Sequence, residues 1–97
     1  MDANIIVFGT SWCPDVRRTV EHLDSVGVEY ELIDIDADDH AAQRVMDWNE
    51  GRRRVPTVLI EQNGDIRVLS VPSNSQLDVE LDRAGLLESQ KGDARMS

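Results

Sequence analysis

The stretch TSWCPDVRR, residues 10–18, decides how this sequence is read. It sets the only cysteine of the chain, Cys13, directly before Pro14. Proline lacks a backbone N–H and has its φ fixed near the helical value, so it suits the first turn of a helix and breaks the interior of one. Upstream, residues 4–8 (NIIVF) form a short apolar run stopped by Gly9, the pattern of a buried strand. Downstream, Val16, Val20, Leu23 and Val26 recur at helical spacing, and Gly27 stands just past their end. Cys13 therefore falls where a strand hands over to a helix, outside the apolar stripe of that helix.

Working outward, VEYELIDI (28–35) alternates Val28, Tyr30 and Leu32 with Glu29 and Glu31, and reads as a second strand. Asp38 and Asp39 can cap a helix over about 39–50 that carries Ala42, Val45, Met46 and Trp48 and ends at Gly51. VPTVLIE (55–61) is a third strand. The Asn63-Gly64 pair after it supplies the two positive-φ positions of a tight hairpin, and IRVLSV (66–71) returns as a fourth strand. Ser73 and Gln76 make a capping box ahead of Leu77, Leu81 and Ala84, which predicts a last helix. The order is β-α-β-α-β-β-α. A right-handed parallel crossover joins the first two strands and the hairpin is antiparallel, so a mixed four-stranded sheet flanked by three helices is expected.

Ninety-seven residues hold one core, expected over 1–87, with 88–97 a polar, aperiodic and flexible tail. A hydrophobic share of 40% suits a globular chain. Nineteen acidic against ten basic side chains give a net charge of −9, a field that repels nucleic acid and anionic lipid. No apolar run nears the ~20 residues of a membrane helix. The opening MDANIIVFG also lacks the basic and long apolar regions of a secretory signal. A lone cysteine cannot form an internal disulfide, which fits a reducing compartment. A cytoplasmic protein, acting as a monomer, is the expectation.

A strand running into SWCPDV, then YELIDID, a second helix, and RRRVPTV leading a hairpin together resemble the glutaredoxins, including the mycoredoxins, over roughly residues 4–85. The resemblance implies a thioredoxin-like fold with Cys13 as the nucleophile, and a cis peptide bond at Val55–Pro56 beside it. It implies that the backbone of Val55 meets the peptide part of a glutathione-like ligand. It also implies that Ser73 and Asn74, where the last helix starts, hold a ligand carboxylate. Thr10, three residues before Cys13, occupies a position where the family often has lysine. VPSNS (71–75) replaces the usual Gly-Gly-x-Asp, and Val16 stands where many members carry a second cysteine.

Val16 closes the two-thiol route and points to a monothiol cycle on mixed disulfides of proteins with a small thiol; the departures at Thr10 and VPSNS, shared by mycoredoxins, set mycothiol beside glutathione as that thiol. The attacking species must be thiolate. Unpaired amides and the dipole at a helix start favour that anion, Arg17 supports it, and Asp15 opposes it. Pro14 leaves the next amides facing the sulfur, Trp12 forms a wall beside it, and Arg53 or Arg54 captures a carboxylate of the thiol. Thiolated proteins and a small thiol are the expected partners, with no bound metal. Two rival readings are an iron–sulfur cluster carrier and a redox-inactive thioredoxin-fold binding protein. Single-cysteine members that hold clusters typically carry Cys-Gly-Phe-Ser, whereas this chain has Pro14, Asp15 and Val16. Asp34, Asp36 and Asp38 mimic the start of a calcium loop, but Asp39 and Val45 stand where that loop needs glycine and glutamate. His22 and His40 are isolated helix-surface residues, and Met46 and Trp48 read as core.

Overall fold

In the computed structural model, residues 3–86 are described; the expected tail at 88–97 lies outside them. The elements are β1 (Ala3–Gly9), α1 (Pro14–Ser25), β2 (Glu31–Asp34), α2 (Asp39–Trp48), β3 (Thr57–Gln62), β4 (Asp65–Ser70) and α3 (Asn74–Arg83). The sheet order is β2-β1-β3-β4. β1 and β2 run parallel, with Val7 beside Leu32, while β3 is antiparallel to both β1 and β4. This is the mixed sheet flanked by three helices that the pattern predicts.

The local signals act as expected. Pro14 is the first residue of α1 with Cys13 at its N-cap, and Gly27 follows its end at φ +75°. Asp38 caps α2 by accepting from the Ala41 amide at 3.0 Å. Asn63 and Gly64 take φ 55° and 85°, so Gln62 pairs with Asp65 across the hairpin. At α3 the capping box is complete: Gln76 N–H donates to Ser73 Oγ at 3.1 Å, and Ser73 N–H donates to Gln76 Oε1 at 2.9 Å. Such a cap stabilises a helix by about 1 kcal/mol.

Two cores hold the layers together. Ile5, Val7, Val58 and Ile60 of the sheet pack with Leu23 of α1 and Leu77 and Leu81 of α3 on one face. Phe8 and Leu59 pack with Ile35, Ala41, Ala42 and Val45 on the other, the α2 face. Trp48 closes that side, its ring 5.6 Å from Phe8 edge to face and under the Arg44 guanidinium at 4.9 Å.

Three details differ from the pattern. The second strand is shorter than 28–35: pairing with β1 covers only Glu31–Asp34, at one edge of the sheet. Val28 and Tyr30 join the first core, but Leu32, at that edge, is 51% exposed. On α1 the fully buried position between Val16 and Leu23 is Thr19, with Val20 only half-buried. Thr19 tolerates burial because its Oγ1 donates to the Asp15 carbonyl at 2.9 Å. Asn49, just past α2, is also buried. Its Nδ2 donates to the Val45 carbonyl at 2.7 Å and to Thr57 Oγ1 at 3.2 Å, while its Oδ1 accepts from Ser70.

Candidate active site

The carboxyl end of β1 delivers Thr10–Cys13 to a point where three loops meet. Ile35 N–H donates to the Gly9 carbonyl at 2.9 Å, which seats the segment after β2 beside it. On the other side Phe8 pairs with Thr57, so the loop 52–56 approaches from β3. That loop contains the cis Val55–Pro56 bond. The Pro56 carbonyl accepts from Val71 N–H at 2.8 Å, drawing in the segment before α3.

Cys13 is half-buried and uncapped by any side chain, with φ −85° and ψ 123°. The first helical amides of α1 have no carbonyl behind them within the helix, and Pro14 has no N–H to offer. Arg17 N–H is already donated to the Cys13 carbonyl at 3.2 Å. The positive end of α1 therefore lies at the cysteine through the amides of Asp15 and Val16. A cavity of about 290 Å³ opens here, lined by Trp12, Cys13, Pro14, Arg17, Arg18 and Glu21.

The residues expected at the site divide into three groups. Trp12, Cys13 and Pro14 share the cavity wall, and Trp12 is 70% exposed. Thr10 lies beneath it, only 5% exposed, and its Oγ1 has no hydrogen-bond partner among the described residues. Val55 and Pro56 sit on the loop next to the end of β1, with Pro56 buried. Arg53 joins the cavity wall through an acid: its Nη2 lies 3.0 Å from Asp36 Oδ1, and Asp36 Oδ2 accepts from Trp12 Nε1 at 3.1 Å. Arg54 is exposed, and its side chain makes no hydrogen bond or ion pair among the described residues; its carbonyl accepts from Thr57 Oγ1 at 2.6 Å. Ser73 and Asn74 are committed within the fold, Ser73 to the capping box and Asn74 Oδ1 to Arg18 Nη1 at 2.7 Å.

Sequence reasoning missed Arg18 and Asp36. Arg18 also donates to the Pro72 carbonyl at 3.0 Å, so it ties α1 to the start of α3. A usable signal existed for Asp36: in α/β sheets, ligands gather beyond the carboxyl ends of parallel strands, and Asp36 follows β2 there. Among the described residues, no group of three or more His, Cys, Asp or Glu is placed to hold a metal ion.

Parallel β1-α1-β2, a helix on the opposite face, an antiparallel hairpin and a cysteine opening the first helix define a thioredoxin-like protein. Arabidopsis thaliana thioredoxin O2 is similar at 16% identity and a TM-score of 0.65, over 84% of this chain and 73% of that one. A wheat glutaredoxin is similar at 23% identity and a TM-score of 0.57, over 88% of this chain and 76% of that one. The glutaredoxin family model matches residues 5–65, and the chain belongs to the glutaredoxin family. It is 45% identical over 56 residues to Mycoredoxin 1 of Corynebacterium glutamicum, covering 58% of this chain and 68% of that protein. Membership gives the activity class, glutaredoxin-like thiol–disulfide redox function.

Proposed function

We propose that this chain reduces mixed disulfides between proteins and a low-molecular-weight thiol by a monothiol cycle at Cys13. The observation that carries the reading is Cys13 at the uncapped start of α1, open to a cavity, with Val16 at 4% exposure where a second thiol would stand. The Cys13 thiolate attacks the small-thiol sulfur of protein–S–S–R. The disulfide breaks, the protein sulfur leaves as thiolate and takes a proton, and Cys13–S–S–R remains. The thiolate of a second R–SH then attacks the R sulfur, releasing R–S–S–R and regenerating the Cys13 thiolate. Two electrons pass from small thiol to protein, and the enzyme needs no resolving cysteine.

The helix-start amides and dipole hold the anion, both when Cys13 attacks and when it leaves. Trp12 supplies an apolar wall, and Arg17 supplies positive charge on the same cavity wall. Between glutathione and mycothiol, the likeness to Mycoredoxin 1 supports mycothiol. Thiolated proteins are the substrates, and a reducing cytoplasm is the setting in which the cycle runs.

The test is direct. Reduced protein is mixed with glutathionylated and mycothiolated peptide, and Cys13 is followed by mass spectrometry. A Cys13–S–S–R adduct is expected, clearing on addition of R–SH, with turnover abolished in Cys13→Ser. No adduct with either peptide, or turnover surviving that substitution, refutes the reading.

A further inference from the structure

Asp36 follows β2 in a pinned turn. Its amide donates to Asp34 Oδ1 at 2.9 Å, and Ala37 N–H donates to the Asp34 carbonyl at 3.1 Å. From there its carboxylate reaches two ways. Oδ2 accepts from Trp12 Nε1 at 3.1 Å, and Oδ1 accepts from Arg53 Nη2 at 3.0 Å. Arg53 Nη2 also lies 3.4 Å from the Ile35 carbonyl. One acid thus couples the wall beside the sulfur to an arginine of the only dense basic run in the chain.

All three side chains face water, where an ion pair adds little to folding because each charge was already well solvated. What the contact does change is the charge a ligand meets. Asp36 offsets Arg53 at contact distance. Arg18 is engaged as well, by Asn74, the Pro72 carbonyl and Asp15 at 3.7 Å, while Arg17 shares the cavity wall with Glu21. At the start of α3 the capping box occupies the Ser73 and Gln76 amides.

We infer that Asp36 is a specificity-determining residue: by holding Arg53 in an ion pair beside Trp12, it turns the site away from carboxylate-bearing thiols and toward uncharged ones. The inference rests on the reaction proposed above and names the property of the thiol that the site senses.

The experiment uses one peptide whose single cysteine carries either glutathione, which bears carboxylates, or 2-mercaptoethanol, which bears none. Rates are compared in the unaltered protein, Asp36→Asn, Asp36→Glu, and Asp36→Asn with Arg53→Gln. In Asp36→Asn the glutathione-to-mercaptoethanol rate ratio should rise about two- to fivefold, the range for an exposed charge pair. Added salt should erode the gain. Asp36→Glu should restore the original ratio, and removing Arg53 should cancel the gain. An unchanged ratio in Asp36→Asn, or a gain that survives loss of Arg53, overturns the inference. Should the unaltered protein form no Cys13 adduct with either peptide, the reaction itself is refuted. Asp36 is then read by titrating tryptophan fluorescence with S-methylglutathione. Tighter binding in Asp36→Asn upholds the charge assignment, and equal binding overturns it.

Discussion

Val71 shows what a single residue contributes to the mouth of this site. Its φ is +46°, in the left-handed region that a β-branched side chain enters only at a cost of order 1–3 kcal/mol. The gain on the other side is its N–H donated to the Pro56 carbonyl at 2.8 Å, a bond that sets the segment before α3 against the loop before β3. In the family pattern glycines occupy this stretch, and glycine adopts such a φ without penalty. Val71→Gly should therefore stabilise the fold by about 1 kcal/mol, after the larger unfolded-state entropy of glycine is deducted. A urea midpoint that rises with an unchanged slope is the expected result, and a lowered midpoint contradicts the strain argument.

Between elements, the contact that matters most for Cys13 is the one beneath it. Val16 packs on the backbone of Gly9, and a Cβ added to Gly9 would lie 2.7 Å from both Val16 γ-carbons. β1 and α1 thus approach as closely as glycine permits, and this sets the height at which the cysteine stands above the sheet. Gly9→Ala should destabilise by about 2–3 kcal/mol through overpacking. Val16→Ala alone should also destabilise, by about 1–2 kcal/mol, through the methyl groups lost. Together the two substitutions should cost less than their sum, since the smaller residue makes room for the new methyl. Strict additivity in thermal or urea unfolding of the double variant would show that the contact is not the source of either effect. The same scale explains Thr57 in the Val-Pro-Thr motif: buried between Asn49 and the Arg54 carbonyl, it fastens the end of α2 to the loop carrying Pro56.

At the scale of the whole molecule, what could be read from the sequence was whatever depends on neighbours in the chain. Pro14, Asp38, the Asn63-Gly64 turn and the Ser73–Gln76 box are local rules, and each marks its element correctly. Thr19 and Asn49 were illegible because a polar side chain on a buried face looks like an error in the periodicity, and Asp36, though it follows a parallel strand's carboxyl end, gave no sign of its partners across the fold. Leu32 misled for the same reason, since alternation cannot say which strand will be an edge. Global stability carries one alkaline signature. The Tyr30 phenol, donating to Asp24 Oδ1 at 3.0 Å, has its pKa raised, first by burial and then by the Asp24 carboxylate's hydrogen bond and charge. The folded state then holds that proton longer than the unfolded chain, so the stabilisation is full below the ordinary phenol value of about 10 and lost as pH climbs through the folded one. Tyr30→Phe should flatten the decline in melting temperature on the alkaline side, and identical slopes in both proteins would remove Tyr30 from the account. The bond between Val71 and Pro56, finally, has a kinetic meaning. With Thr57, Asn49, Arg18 and the α3 cap each fastened on their own side, the rim around the sulfur is already assembled before any partner arrives. In the reaction proposed above, little ordering entropy would then remain to be lost at capture, and encounter with a mixed disulfide would be limited by approach and charge instead of by closure of a lid.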